Sequence, residues 1–357
     1  MTQTKGTKET RKSYPGTIET AGKDSARTDL FSAHDPDTEP ETFIPPSGFR
    51  RGMGWLPDRP DFRDYHERTP EIRELLDSDE RLKREIKKRP SLAKTYDLPP
   101  LSRRIDAESL PASVDLREYC SPVEDQGGLG SCTAHAGVGL IEYYERRAFG
   151  RHLDASRLFL YKVTRNLMKL RGDTGAYLRT TMGAMVLFGV PPESYWPYTD
   201  DASSFDREPS AFCYAFAQNY QTIKYFRHDP AGASPKDVLH SLKTYLAKGF
   251  PFIFGFSVYN SIEQAETDGR IPFPSPRERL EGGHAVMAVG YDDKLEITNK
   301  FSKEKTKGAL LIRNSWGTSW GDHGYGWLPY DYVLRGLAED FWSILKKEWL
   351  DTSAFAE

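Results

Sequence analysis

The sequence contains little cysteine, no long apolar run and little net charge. Its 357 residues include three cysteines, so at least one stays unpaired and a disulfide framework is excluded. A pairing of Cys120 with Cys213 remains open. No apolar stretch approaches the length of about 20 residues that a membrane-spanning helix needs. The formal net charge of −3 at pH 7 gives no indication of nucleic acid as a partner.

The composition and the few cysteines also bear on the cellular compartment and on possible cofactors. The N-terminal region is polar and lacks the apolar core of a secretory signal, and free thiols favour a reducing compartment. The localisation therefore stays open between the cytoplasm and export by a non-classical route. No cysteine–histidine pair has the spacing of metal ligands. We expect no metal, no cofactor, no membrane association, and a monomer.

Composition divides the chain into three parts. Residues 1–42 are rich in Thr, Ser, Lys, Asp and Glu, which predicts a disordered leader. Residues 43–109 combine a few apolar anchors with prolines and a charged helix pattern from Pro70 to Lys88. This region cannot form a core alone, so we expect it to dock on the domain that follows. In residues 110–357 helix patterns precede strand patterns, which predicts an α+β domain.

The stretch Gln126 to Cys132, which reads QGGLGSC, is the candidate for chemistry. The pattern from Thr133 to Arg147 predicts a helix, so Cys132 would lie at a helix N-terminus after a glycine-rich loop. Free N–H groups and the helix dipole favour an anion there, and a thiol so placed has a lowered pKa and becomes a usable nucleophile. The alternative is a small buried residue at a helix start.

A cysteine nucleophile needs a base, and the base needs a partner that fixes its tautomer. His284 follows two glycines and opens an apolar strand, so its imidazole can project into a cleft. Asn314 ends another apolar strand and precedes Ser315 and Trp316, so its amide could hold the imidazole while the indole shields that bond. The alternatives are an ordinary histidine at a strand end and an ordinary turn asparagine.

Together these stretches resemble the papain family of cysteine peptidases, from about Leu110 to Lys346. The motifs QGGLGSC (126–132), GHAV (283–286) and NSWGTSWG (314–321) occur in the order of that family. Leu129 stands where relatives usually have a disulfide-forming cysteine, so the pattern is similar to bacterial, disulfide-poor members. The segment GWLPDRPDFRDY (54–65) is similar to one that precedes the catalytic domain in those members.

The resemblance implies a two-lobed fold, with a helical left lobe, an antiparallel β-barrel-like right lobe and a cleft between them. It implies that Cys132 is the nucleophile and His284 the general acid/base, in a resting thiolate–imidazolium pair. Asn314 would orient the imidazole. The side chain of Gln126 and the backbone N–H of Cys132 would form the oxyanion hole.

The resemblance also implies substrate-binding residues along the cleft. They are Gly175, Ala176, Tyr177, Gly283, Ala285, Trp316 and Asp340. Gly175 would bind the peptide backbone, and Asp340 would form the floor of the pocket for the side chain two residues before the scissile bond. A one-residue slip would put Glu339 there instead. In relatives an acid at this floor tolerates a basic side chain, so we expect that preference here.

The implied function is that of a cysteine endopeptidase acting on polypeptides through an acyl-enzyme intermediate. It would be made as a self-inhibited precursor with its own N-terminal segment in the cleft. Two alternatives remain open at this point. One is another cysteine acyl-transfer enzyme, such as an amidase or a transpeptidase, and the other is a catalytically silent binding protein on the same fold.

Overall fold

The computed structural model describes residues 51–76, 110–220, 224–350 and 352, which all belong to one compact unit. The expected disordered leader lies outside the described residues. So do residues 43–50 and 77–109 of the region expected to dock, although 70–76 are helical. No helix in the described part of the chain is long and apolar enough to cross a membrane.

Helices dominate the first half of the domain formed by residues 110–357, as the sequence predicts. The helices are α1 (Cys132–Phe149), α2 (Arg157–Met168), α3 (Leu178–Phe188), α4 (Ala211–Ala217), α5 (Pro235–Ala247), α6 (Tyr330–Leu334) and α7 (Lys347–Leu350). The aspartate at position 154 predicts a helix cap at that residue, but helix α2 is capped by Ser156, whose side chain accepts a hydrogen bond from the Phe159 N–H.

Helix α1 is the central helix, and residues 132–144 are all buried. Small residues near its start make this possible. A Cβ at Gly137 would already touch Leu160 of α2 and Met185 of α3 at 3.4 Å. The helix ends at Gly150, whose φ of 68° is the left-handed conformation that glycine adopts easily. Close packing on every side therefore fixes the position of Cys132.

Strands dominate the second half. They are β1 (Trp55–Leu56), β2 (Ser113–Asp115), β3 (Ala176–Tyr177), β4 (Lys224–Arg227), β5 (Phe252–Tyr259), β6 (Leu280–Thr298), β7 (Lys305–Arg313), β8 (Tyr325–Pro329) and β9 (Ala338–Leu345). The large sheet has the order β4-β9-β5-β6-β7-β8, with β2 added to β6, and all its pairings are antiparallel. The α+β prediction is confirmed. The described strands do not close into a barrel, because β4 and β8 remain unpaired with each other at the two edges.

Strand β6 carries His284 to the N-terminus of α1. Its residues from His284 to Tyr291 are buried without interruption, because helix α1 packs against the sheet at this strand. The backbone N–H of Ala285 reaches the Cys132 sulfur at 3.4 Å. The two halves of the domain therefore meet at these two side chains.

Residues 51–76 lie against both halves of the domain. Strand β1 pairs in parallel with β3, so that Trp55 is opposite Ala176. Farther along, the Arg227 N–H donates to the Tyr65 carbonyl at 2.7 Å. The side chain of Ile72 is fully buried.

The cysteines Cys120, Cys132 and Cys213 are all buried and free. The bridge between Cys120 and Cys213 that the sequence left open is therefore not formed.

Candidate active site

Cys132 is the first residue of α1, and its side chain is fully buried. The sulfur accepts hydrogen bonds from the Ala285 N–H, at 3.4 Å, and from the Gly54 N–H. The first donor comes from the catalytic domain, and the second comes from the segment before it. The thiol predicted as the nucleophile thus lies in the cleft, and the backbone of the preceding segment at Gly54 lies directly over it.

The His284 side chain is held in one tautomer by Asn314. Nε2 lies 2.7 Å from Asn314 Oδ1, and the Ser315 backbone N–H donates to that same atom at 2.8 Å. A backbone donor identifies the atom as the amide oxygen, so Nε2 must carry the proton. Nδ1 then has the free lone pair, and this buried atom has no hydrogen-bond partner among the described residues. The ring is therefore oriented as a base.

Trp316 covers this pair from one side. Its indole stacks on the His284 ring, with centroids 4.4 Å apart and planes 20° apart. Trp316 is 4% exposed, so the bond between His284 and Asn314 is shielded from water as the sequence suggests.

The Gln126 amide is held with its N–H group towards the cleft. Its Oε1 accepts from the Ser315 hydroxyl at 2.5 Å, while its Nε2 donates to Leu129 O at 2.7 Å and to Gly52 O at 3.0 Å. The carbonyl of Gly52 thus occupies the N–H group that the resemblance assigns to the oxyanion hole. Ser315 positions both the Gln126 amide and, through its own N–H, the amide that holds His284.

Residues 51–56, which we call the cleft segment, cover the thiol and the imidazole. Burial raises the pKa of Cys132 to about 11 and lowers the pKa of His284 to about 4, so the covered site favours the neutral form of each group. The thiolate–imidazolium pair that the resemblance implies stays a prediction.

Ala176, the residue after Gly175 in the cleft wall, binds the cleft segment. Ala176 N–H donates to Gly54 O at 2.7 Å, whereas the Gly175 N–H donates to the Tyr161 hydroxyl at 3.1 Å. Gly175 has a φ of 71°, and a Cβ there would overlap Gly54 O. Glycine is thus required at this position for close approach. Tyr177 pairs with Leu56 and is 37% exposed.

The Trp55 side chain fills a pocket beside this wall. Its indole N–H donates to Asp340 Oδ2 at 3.2 Å, and Asp340 is fully buried. Glu339 is exposed. The buried acid in this pocket is therefore Asp340, without a one-residue slip. A Cβ at Gly255 would overlap the indole, and one at Gly283 would lie 2.5 Å from Trp55 O.

Several residues at the site escaped sequence analysis. Gly255 could have been noticed, because a glycine inside the apolar strand FIFGFSVY marks a close approach. Arg227 donates to Asp340 Oδ1 at 3.0 Å, but nothing in the sequence connects two residues so far apart.

Asp173 links the loop before the nucleophile to the cleft wall. Its carboxylate accepts from the Gly130 N–H at 2.9 and 3.1 Å and from the Tyr161 hydroxyl at 2.5 Å. The same hydroxyl accepts from Gly175. This network, which we call the Asp173 clamp, joins two loops beside Leu129, where the sequence lacks the expected cysteine. A half-buried carboxylate thus joins these two loops in a chain that has no disulfide there.

Comparison with known proteins agrees with this geometry. The model of the papain family cysteine protease matches residues 110–339. A peptidase C1-like protein of Acanthamoeba polyphaga mimivirus is 31% identical over 309 residues, which cover 84% of this chain and 88% of that protein. Cathepsin K of Gallus gallus is 30% identical over 219 residues, or 60% of this chain and 58% of that protein.

Solved structures give the same result. Xylellain, a cysteine protease from Xylella fastidiosa, is 33% identical with a TM-score of 0.62, and the match covers 86% of this chain and 98% of that one. Procathepsin L 3 of Tenebrio molitor, at 19% identity and a TM-score of 0.50, supports the fold alone. The chain is a cysteine peptidase and belongs to the papain family of cysteine proteases.

Proposed function

We propose that the protein is an endopeptidase whose chemistry is carried by Cys132, His284, Asn314 and Gln126. The observation that carries the proposal is the fixed tautomer of His284. Asn314 and the Ser315 N–H leave Nδ1 with its lone pair on the side that the nucleophile must use. What distinguishes His284 from a structural histidine is its place beside the thiol, because the backbone N–H of the next residue, Ala285, donates to the Cys132 sulfur at 3.4 Å.

The reaction begins when the cleft segment leaves and a peptide takes its place. His284 Nδ1 takes the proton of the Cys132 thiol, and the sulfur forms a bond to the carbonyl carbon of the peptide. The developing oxyanion lies against Gln126 Nε2 and the Cys132 N–H. His284 gives its proton to the departing amine, so the C–N bond breaks and an acyl-enzyme remains.

Hydrolysis repeats the sequence with water. His284 takes a proton from water, and the hydroxide bonds to the acyl carbon. The C–S bond then breaks, and the proton returns to the sulfur with release of a carboxylic acid. Asn314 keeps the imidazole in place throughout, and the Trp316 indole excludes water from that bond.

The cleft wall supplies the substrate-binding groups. An extended peptide would pair with the backbone at Ala176 and Tyr177, as the cleft segment does, and would pass close to Gly175. Gly283 and Ala285 bound the cleft from β6, where a larger residue at Gly283 would collide with the occupant. One chain supplies all these groups, which supports a monomeric enzyme.

We also propose that the cleft segment inhibits the enzyme in cis. Gly52 O accepts from both Gln126 Nε2 and Trp316 Nε1, at 3.0 and 3.3 Å, so it uses an oxyanion donor. Gly54 N–H binds the Cys132 sulfur. Cβ atoms at Gly52 and Gly54 would overlap the backbone of the loop before Cys132. Two glycines thus allow the backbone to lie flat on the catalytic groups.

The segment is anchored away from the chemistry by Arg179 of α3. Its guanidinium pairs with Asp64 at 2.8 Å and also with Asp58. These ion pairs lie on the flank of the cleft, so they can be weakened without touching a catalytic group. They offer a direct way to release the segment in the full chain.

The experiment measures hydrolysis of a peptide library by the full chain, with mass spectrometry of the products. We expect cleavage with addition of water, no cleavage by Cys132→Ala, and faster cleavage by the double variant Asp58→Ala/Asp64→Ala. Products that carry a second peptide instead of water would establish a transpeptidase. Equal rates for the double variant and the wild type would contradict the proposed inhibition by the cleft segment, but not the proposed peptidase activity.

A further inference from the structure

Asp340 occupies an unusual backbone conformation at the floor of the pocket. Its φ is 67°, a left-handed value that residues other than glycine rarely adopt. The pairing of β5 with β9 slips at this point, which is the signature of a β-bulge. The N–H groups of Asp340 and Phe341 both donate to the Asp229 carboxylate, at 2.9 and 3.0 Å. The surroundings therefore hold the Asp340 side chain in the pocket against a local preference.

The Asp340 carboxylate is already bound by a buried guanidinium, that of Arg227. Arg227 donates to Asp340 Oδ1 at 3.0 Å and holds Asp229 at 2.9 and 3.0 Å. The Trp342 indole N–H donates to the same Oδ1 at 2.6 Å. Arg227 is 1% exposed, and besides Asp229 of the domain itself its guanidinium donates to Asp58 O of the N-terminal region at 3.1 Å. Oδ1 thus has two donors from the domain itself, and Oδ2 faces the occupant.

The occupant in this structure is an indole with one donor. Trp55 Nε1 bonds to Oδ2 at 3.2 Å, and Trp55 is 6% exposed. Gly255 leaves just enough room, since any Cβ there would overlap the ring. The site therefore offers a flat space ending in an acceptor, and an indole supplies the single N–H that matches it.

An arginine side chain would fit this floor less well. A guanidinium brings five N–H donors, and an ammonium brings three, to the one oxygen that Arg227 and Trp342 leave open. It would also bring a second positive charge next to Arg227 in a site that excludes water, where like charges repel strongly. The acid at the floor is thus already paired with a cation, which it shares with Asp229, and a basic substrate would have to compete with Arg227 for it.

We propose that Asp340 and Arg227 together select an aromatic side chain with one hydrogen-bond donor, tryptophan above all, two residues before the scissile bond. Arginine and lysine are disfavoured there, contrary to the expectation that the family resemblance raised. This inference rests on the proposed function, because it concerns the substrate of the same site. It assigns Asp340 and Arg227 as residues that determine specificity.

The test uses the full chain carrying Trp55→Ala, which vacates the pocket. Its substrates are peptides identical except for Trp, Phe or Arg two residues before the bond. We expect kcat/KM for Trp to exceed that for Phe by about tenfold, the value of one hydrogen bond to a carboxylate, and Arg to be the poorest. A second readout, protection of Cys132 from a thiol-alkylating epoxide by the same peptides, does not depend on turnover.

The matched variant is Asp340→Asn, which keeps the size and shape of the side chain. Arg227 and Trp342 donate to one position, so the amide oxygen must stay there and its NH₂ must face the substrate indole. We expect the preference for Trp over Phe to fall to about one in this variant. Arg cleaved fastest, with loss of that advantage in Asp340→Asn, would overturn the inference.

The two proposals fail differently. Absence of cleavage of all three peptides would remove the proposed endopeptidase, and protection of Cys132 in the order Trp, Phe, Arg would still support the pocket. Equal protection by the three peptides would overturn the pocket assignment whether or not cleavage occurs.

Discussion

The oxygen of the Asn314 side chain lies 2.7 Å from His284 Nε2 and also accepts the N–H of Ser315 at 2.8 Å. The hydrogen bond from the Ser315 N–H identifies this atom as the amide oxygen without reference to the histidine. The contact with His284 Nε2 therefore shows which ring nitrogen carries the proton. The imidazole consequently has a defined acceptor face directed away from Asn314. The remaining features of the site follow from this orientation.

Asn314→Ala is expected to lower kcat by about threefold to tenfold, because the imidazole loses the bond that fixes its tautomer. KM should change little, since Asn314 does not bind the peptide. Steady-state kinetics with the double variant Asp58→Ala/Asp64→Ala as the background measures this. The control is Asn166→Ala on helix α2, which removes an exposed hydrogen bond from Asn166 to the Glu208 carboxylate. A selective rise in KM would contradict the orienting role.

The Asp173 clamp should matter to both binding and turnover. Asp173→Ala leaves the Gly130 N–H without its carboxylate, and we expect kcat/KM to fall by about tenfold or more. Asp173→Asn keeps one oxygen for Gly130 and Tyr161, which both approach Oδ1, so it should restore most of the activity. A matched loss in both variants would show that charge, and not the bond to the loop, is what counts.

Gly255→Ala is expected to close the pocket. The added Cβ would overlap the Trp55 indole, so the full chain should bind its cleft segment less tightly and Cys132 should be alkylated faster. Peptides with large aromatic side chains at the pocket should be cleaved more slowly. Gly183→Ala is the control, since the nearest atom to its Cβ is 4.0 Å away. Unchanged alkylation in Gly255→Ala would place the indole elsewhere.

Stability should fall as the pH falls below about 6.5. Burial lowers the pKa of His228 to about 3 and that of His284 to about 4. The unfolded chain then binds more protons, and each such histidine removes about 1.4 kcal/mol of unfolding free energy per pH unit until its folded pKa is reached. The stabilising contribution is therefore present above pH 6.5 and lost towards pH 4.

His228 allows a clean test of this dependence. Its ring packs among Phe226, Tyr245 and Phe252, far from any proposed catalytic role. His228→Phe should reduce the slope of unfolding free energy against pH by one proton between pH 4 and 6. Chemical denaturation at several pH values measures the slope. An unaltered slope would mean that His228 is protonated in the folded protein.

Asp340 acts in the opposite direction. Burial raises its pKa to about 7, which outweighs the lowering effect of Arg227. Its contribution to stability is therefore present at low pH, below the ordinary pKa of an aspartate, and is lost as the pH rises through 7. Asp340→Asn should remove this loss, and the same denaturation series between pH 5 and 8 detects it.

Much of the chemistry could be predicted because it is written in local motifs. Cys132, His284 and Asn314 each lie where a short stretch changes from loop to regular structure, so pattern and resemblance identified the positions that the structure brings together. The α+β order was readable for the same reason. The apolar run FIFGFSVY likewise predicts a strand over residues 252–259, which are the bounds of β5.

The pocket and the clamp could not be predicted because they depend on distant partners. Nothing in the sequence joins Arg227 to Asp340 or Asp173 to Gly130. The left-handed conformation of Asp340 depends on Asp229, which the sequence also leaves unconnected. The sequence predicts an N-terminal segment in the cleft, but it does not predict that Gly52 O contacts Gln126 Nε2 or that burial raises the pKa of Cys132.

The rate at which a thiol-directed epoxide alkylates Cys132 in the full chain is the most direct test. We expect slow alkylation in the wild type, because burial raises the pKa of the thiol and the cleft segment covers it. We expect much faster alkylation in Trp55→Ala, in parallel with a gain in peptide hydrolysis, and no alkylation of that position in Cys132→Ala. Equal rates in the wild type and Trp55→Ala, or hydrolysis that survives Cys132→Ala, would contradict these expectations.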